Sequence, residues 1–124
     1  MNRQLLKSKI HRATVTESNR DYEGSITIDE SLMDAAQVTR WEKVLVANID
    51  TGARVETYAI PGSRGSGVIC MNGGAAHYAS RGEKVIIMSF ASFSEDEISS
   101  HRPLIVKVDA KNQALASEAV QWPI

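Results

Sequence analysis

Few of the residues that ordinarily carry chemistry are spaced to do so in this 124-residue chain. Histidines at 11, 77 and 101 are too dispersed for a local ligand motif, and no cysteine or carboxylate cluster joins them, so no metal site is expected. The stretch Gly62-Ser63-Arg64-Gly65-Ser66-Gly67 has the glycines of a phosphate cradle. It lacks the Lys-Ser/Thr pair and the helix that should follow, and reads as a mobile loop. Asp96 and Glu97 lie in a polar segment with no apolar neighbours to raise a carboxyl pKa, so they read as solvated. Cys70, the only cysteine, sits in the apolar run Val68-Ile69-Cys70-Met71 and reads as a small buried side chain rather than a nucleophile. What remains is glycine followed by serine. The pair occurs at 24–25, 62–63 and 65–66, and on its own it is turn chemistry. Only at Gly24-Ser25 does Tyr22-Glu23 precede it and the β-type run Ile26-Thr27-Ile28 follow, which holds the serine at the mouth of a strand.

The elements that must position this serine are mostly strands. Runs rich in Val, Ile, Thr and aromatics extend over Ser8 to Thr16, Ser25 to Ile28, Val44 to Ile49, Val55 to Ile60, Val68 to Met71, Val85 to Phe90 and Leu104 to Val108, separated by Gly, Asp, Asn or Ser. Asp50-Thr51-Gly52 predicts a hairpin between the third and fourth of these, and Asn72-Gly73-Gly74 a second turn. Helix is expected over Glu30 to Gln37, capped by Asp29, with short turns at Ala75 to Ala79 and Glu95 to Ser99. Residues 61–67 read as a long surface loop, not a boundary, so residues 1–124 form one mainly β domain, a small barrel.

Charge and composition narrow the function. A net charge of -1 with 43% hydrophobic residues is ordinary for a globular domain and favours neither nucleic acid nor an acidic membrane. The local basic cluster Lys7, Lys9, His11, Arg12 is the one exception. A lone cysteine and the absence of an apolar span predict a protein of the reducing cytoplasm.

Several motifs together resemble the aspartate 1-decarboxylase family, pyruvoyl enzymes that supply β-alanine for pantothenate synthesis. They are Lys7-Ser8-Lys9-Ile10-His11-Arg12-Ala13, Tyr22-Glu23-Gly24-Ser25-Ile26-Thr27-Ile28-Asp29 and Asn48-Ile49-Asp50-Thr51-Gly52-Ala53-Arg54. Thr57-Tyr58-Ala59-Ile60, Arg64-Gly65-Ser66-Gly67, Asn72-Gly73-Gly74-Ala75-Ala76-His77 and Gly82-Glu83-Lys84-Val85-Ile86-Ile87 follow in order. The resemblance covers residues 3 to 109; it departs at Gly74, where alanine is common in the family, and ends before the tail.

The resemblance implies a double-ψ β-barrel with one or two short helices, assembled as a homotetramer with active sites between neighbours. It implies autocatalytic cleavage at Gly24-Ser25 into 1–24 (the β chain) and 25–124 (the α chain), with or without a maturation factor. Ser25 would become a covalent pyruvoyl group, with neither pyridoxal phosphate nor metal required. Tyr58 matches the proton donor, and Thr57 the group that hydrogen-bonds the oxyanion during processing and later contacts substrate. Arg54 and Lys9 would receive the carboxylates of L-aspartate, Asn72, Gly73, Gly74 and Ala75 would present a turn to it, and His11 and Tyr22 would line the pocket. Two other readings stand beside this one: a pyruvoyl decarboxylase of another amino acid such as glutamate, since one methylene is worth only about 1 to 3 kcal/mol in a pocket, and a non-catalytic β-barrel interaction module.

Overall fold

The computed structural model describes residues 1–115 and the backbone of residues 118–119. Among these, the strands are β1 (Asn2–Thr14), β2 (Glu17–Asn19), β3 (Ser25–Asp29), β4 (Lys43–Asn48), β5 (Arg54–Gly62), β6 (Ile69–Asn72), β7 (Lys84–Ser94), β8 (Leu104–Lys107) and β9 (Glu118–Ala119). Two short helices, α1 (Glu30–Ala36) and α2 (Glu95–Ile98), and a 3-10 helix over Gly73–His77 complete the order. The fold is therefore mainly β, as the alternation of branched residues and turn formers predicts.

The strands form one sheet in the order β2-β6-β3-β5-β4-β7-β1-β8-β9. Its edges are not paired with each other, yet it is strongly curled. Only Val15 and Thr16 separate β1 from β2, so strands near opposite ends of the sheet begin and end no more than about 11 Å apart. Thr16 makes the stitch: its amide donates to Ile69 O at 2.8 Å, and its hydroxyl accepts from the Ile69 amide at 2.9 Å. Inside the curl, Ile10 of β1 and Val106 of β8 share one buried cluster with Ile26 and Ile28 of β3, Ile69 and Met71 of β6, and Leu32 and Met33 of α1. Such burial stabilises by roughly 25 cal/mol per Å² of apolar surface, which favours curling over a flat sheet with a wet face.

Local chemistry explains most element boundaries. The β4–β5 hairpin turns at Gly52, with φ of +80°, and pairs Val46 with Val55. The α1 helix ends where Gln37 enters the left-handed region at φ 55°. At α2, Ser94 and Glu97 form a reciprocal capping box, so Glu97 is solvent-facing as expected but occupied with a helix end.

Three expectations are corrected. β1 begins at Asn2 and carries two register shifts against β7, with Arg12 at a φ of 63° in the second; a bulge interrupts the alternation from which strand length is read. The strand β2 escaped detection because Glu17, Ser18 and Asn19 are all exposed. Residues 61–67 are not a free loop: β5 runs on through Gly62, and the remainder wraps around a buried carboxylate.

That carboxylate is Asp29, which is fully buried. Its Oδ1 accepts from Ser31 N at 2.8 Å, Ser31 Oγ at 2.6 Å and Gly65 N at 3.0 Å, and its Oδ2 accepts from Gly67 N at 2.8 Å. The glycine amides that resembled a phosphate cradle hold an internal anion. Gly67 cannot be replaced cheaply, since at φ +73° an added Cβ would lie 2.4 Å from Lys111 O. Asn112, in the tail, locks the other side of Gly67 by donating to Gly67 O and to Thr14 O, each at 2.8 Å.

Burial alone would raise the Asp29 carboxyl, but the hydrogen bonds from Ser31, Gly67 and Gly65 outweigh it and hold the pKa below the ordinary carboxylate value. A depressed folded-state pKa contributes stability that is present above the unfolded value and lost as pH falls through the folded one. Asp29→Asn should therefore destabilise the fold at pH 7 by about 1.5 to 3 kcal/mol, the worth of hydrogen bonds to a charged group. In urea unfolding, the gap between variant and parent should narrow as pH drops below about 4; a gap independent of pH would remove the charge from the account.

Candidate active site

Ser25 opens β3 with its side chain turned into the protein, 3% exposed. Two strand pairings place it. Antiparallel pairing sets it opposite Asn72 at the end of β6. Parallel pairing of Ile26 with Ala59 brings the residues before them, Ser25 and Tyr58, alongside each other on β3 and β5. Asn72 is also 3% exposed, and its Nδ2 donates to Ser25 Oγ and to Thr27 Oγ1, each at 2.9 Å. The serine hydroxyl has one weak outlet for its own proton, Glu23 O at 3.5 Å, at the limit of a hydrogen bond. The arrangement is a buried hydroxyl whose oxygen already faces an N–H donor, a setting that favours negative charge building on that oxygen.

Gly24 lies on the other side of this boundary, exposed in an open cleft of about 620 Å³. Thr57, Tyr58, Gly74 and Ala75 share the cleft with it, and its volume is in the range of small-molecule sites. Val55, Glu56, His77 and Tyr78 also line it and were not singled out from the sequence. His77 closes the Asn72-to-His77 motif and Glu56 precedes Thr57, so position beside a motif was the available signal. Glu56 is ion-paired with Lys43 at 3.1 Å, both side chains well exposed.

The neighbouring glycines differ in what they do. Gly73 has φ +61°, and a Cβ there would stand 2.6 Å from Gly24 N, 2.7 Å from Gly24 Cα and 2.8 Å from Tyr22 O. It is the residue on which the 22–24 segment rests. Gly24 itself is outside the left-handed region and a Cβ on it meets nothing within 4 Å, so the space around it does not demand glycine. Gly74 is equally unconstrained.

The remaining expected site residues do not gather here within one chain. Lys9 and His11 are on β1, which β4 and β7 separate from β5. Lys9 stands between Met88 of β7 and Ile105 of β8. His11 is held below its ordinary pKa by burial and then by the charges of Lys9, Arg12 and Lys107, and its Nδ1 is buried without a partner among the described residues. Arg54 begins β5 opposite Ala47, exposed and outside the cleft lining. Tyr22 is 64% exposed, and its carbonyl oxygen lies against the Gly73 turn. Among the described residues no group of three His, Cys, Asp or Glu could hold a metal ion, and no helix is long and apolar enough to cross a membrane.

Comparison with known proteins bears on the same residues. The model of the aspartate decarboxylase family matches residues 1–115, beyond the point at which the motifs end. A protein of Heliobacterium modesticaldum called aspartate 1-decarboxylase is 55% identical over 94% of this chain and 88% of its own length. Proteins of the same name from Pelotomaculum thermopropionicum and Syntrophobacter fumaroxidans are 58% and 51% identical, over 88% and 94% of this chain and 83% and 94% of theirs.

The two glycines of the turn give a paired test. Gly73→Ala should destabilise by about 1 to 3 kcal/mol, from backbone strain and from displacement of the 22–24 segment. Gly74→Ala should be neutral or stabilise by up to about 1 kcal/mol, because the backbone is ordinary there and space is free. Thermal unfolding of both variants measures this, and equal effects would refute the assignment of Gly73 as the support.

Proposed function

The chain belongs to the aspartate decarboxylase family and decarboxylates aspartate, and from that premise we propose that it does so with a pyruvoyl group made from its own Ser25. The observation that carries this reading is the buried Ser25 hydroxyl, held at 2.9 Å by Asn72 directly after a Gly24 that opens on the cleft. In the proposed maturation, Ser25 Oγ attacks the Gly24 carbonyl carbon and the amide becomes an ester. Loss of the Ser25 Cα proton then expels the Gly24 carboxylate, and hydrolysis of the dehydroalanine releases ammonia. One catalytic unit thereby becomes chains 1–24 and 25–124, with a maturation factor as an optional accelerator.

The residues present fit such a group, since its parent side chain is shielded from water while the cleft beside it can admit a small substrate. A pyruvoyl group supplies a keto electrophile that takes up the substrate's amine and accepts the electrons released as the α-carboxylate leaves. The protein's tasks are binding, orientation and proton delivery. Thr57, in the cleft, is assigned to the oxyanion that forms at Gly24 during processing. Tyr58 is assigned to return a proton to the substrate carbon after carbon dioxide departs, a role supported by its register beside Ser25. Backbone amides of 73–75 would receive substrate oxygen atoms.

Arg54 and Lys9 are assigned to the carboxylates of L-aspartate, the arginine as a planar fork and the lysine as a point charge. Because Lys9, His11 and Arg54 lie outside the cleft of their own chain, the reading requires them to serve a neighbour's site, in a homotetramer. The product, β-alanine, would feed pantothenate synthesis in the cytoplasm.

Incubated protein should resolve into fragments of residues 1–24 and 25–124 by denaturing electrophoresis and intact mass, the larger lacking a free amino terminus. Ser25→Ala should stay whole, and a parent chain that also stays whole, even in cell extract, would sink the reading.

Tyr58→Phe separates making the group from using it. It keeps the packing of the ring and deletes the phenolic proton, so cleavage should proceed while β-alanine formation falls by roughly 10²- to 10⁴-fold, the usual worth of a positioned general acid. Borohydride should still trap aspartate on the cleaved variant. Turnover at the parent rate would make Tyr58 a packing residue.

A further inference from the structure

The carboxamide of Asn72 has three side-chain partners, and two of them, Thr27 and Cys70, have no part in the scheme above. Its Nδ2 donates to Ser25 Oγ and Thr27 Oγ1, each at 2.9 Å, while its Oδ1 accepts from Cys70 Sγ at 3.1 Å. Cys70 is 6% exposed, and both Asn72 and Ser25 are 3% exposed. We propose that Cys70 is a positioning residue for the serine: by donating to Asn72 Oδ1 it fixes which end of the carboxamide faces Ser25, keeping an N–H against the serine oxygen. The role rests on the reading of Ser25 as the nucleophile of self-cleavage.

The two ends of a carboxamide have nearly the same shape and opposite hydrogen-bonding character. Hydroxyl groups donate or accept, so Ser25 and Thr27 would satisfy either orientation and select neither. A thiol has a proton to give and accepts weakly, so it selects the oxygen. Burial, and then the negative charge of Glu17, push the Cys70 thiol up to about 11; Glu17 stands opposite it in the β2–β6 pairing, while the hydrogen bond of the thiol goes to Asn72 Oδ1. The proton is therefore in place throughout the neutral range.

Orientation matters to the reaction because the two states treat the serine oxygen differently. With Nδ2 against it, the charge that develops on Oγ during attack meets a donor already in position. With the amide reversed, Oδ1 would take the serine proton as a hydrogen bond, and no donor would face the oxygen. In the attack, the Oγ–C bond to Gly24 forms, the Gly24–Ser25 C–N bond breaks and the hydroxyl proton ends on the freed amine. No outside reactant is needed for that step.

The test follows cleavage over time in rapidly purified full-length Cys70→Ser, Cys70→Ala and Cys70→Val, with the thermal midpoint of each alongside. Serine places at 70 a hydroxyl that suits either end of the carboxamide, valine fills the space without a donor, and alanine neither fills the space nor donates. Because a hydroxyl at 70 selects neither orientation, the positioning role predicts that all three variants are slower than the parent by about 3- to 10-fold, the rate equivalent of one hydrogen bond, and that Cys70→Val is as slow as the others whatever its thermal midpoint. A packing role predicts instead that the rate follows the thermal midpoint, with Cys70→Val near the parent and Cys70→Ser and Cys70→Ala slower. Cleavage of the parent with that order, or with all three variants at the parent rate, overturns the role of Cys70 alone; a parent that never cleaves overturns the cleavage reading and this role with it.

Discussion

Everything at the site depends on β3 being an interior strand. It is five residues long, four of them buried, with β5 parallel on one side and β6 antiparallel on the other. A parallel neighbour requires a crossover connection, and α1 with β4 supplies it. That places the start of β3 beside the middle of β5 and the end of β6, where Tyr58 and Asn72 stand. The chain passes from solvent to core between Gly24 and Ser25: the glycine remains in the cleft and the serine hydroxyl is drawn inside. The same pairings bear on what a cut at this boundary would leave. Residues 1–24 contain β1 and β2, which pair with β7, β8 and β6, so neither fragment would lack a partner in the sheet.

The interior position also explains the polar groups that are buried with it. Asp29 ends β3 and caps α1, so its carboxylate enters the protein where four hydrogen bonds from Ser31, Gly65 and Gly67 replace those of water. Asn72 does the corresponding work at the other end of the strand. An unpaired group in either place would cost about 1 to 3 kcal/mol, and the glycine turns at 65–67 and 73 exist because backbone must come within hydrogen-bonding or contact distance there. Polar satisfaction at both ends of a short strand thus sets the loop shapes on which the cleft is built.

Much of this was legible in the residues. Asp29 followed by a short apolar pattern marks a capped helix, Asp50-Thr51-Gly52 marks a hairpin, and Ile26-Thr27-Ile28 marks a strand behind Ser25. The gathering of Gly24, Thr57, Tyr58, Gly74 and Ala75 in one cleft was expected from the resemblance alone, because no local pattern reports that β3 lies beside β5. β2 was invisible for a different reason: an exposed strand of Glu, Ser and Asn has no apolar period. The 62–67 segment misled because glycine amides aimed at an internal carboxylate and at a bound phosphate have the same sequence signature. Cys70 read as a buried packing residue, and it is buried; its bond to Asn72 depends on an i, i+2 relation along β6 that composition does not reveal.

The charge distribution carries the last step. Within one chain the cleft holds Glu56, already paired with Lys43, and a single basic side chain among its lining residues, His77. A substrate with two carboxylates is poorly matched to that lining, since each anion taken from water needs a compensating partner. The cationic groups that suit it are instead Arg54 at the start of β5 and those of the β1–β8 face, where His11 sits among Lys9, Arg12 and Lys107 with a buried ring nitrogen unpartnered among the described residues. The cleft is thus short of positive charge while another face of the same chain has an excess of it. That distribution is what the proposed arrangement, in which each subunit supplies the cations of its neighbour's site, would call for.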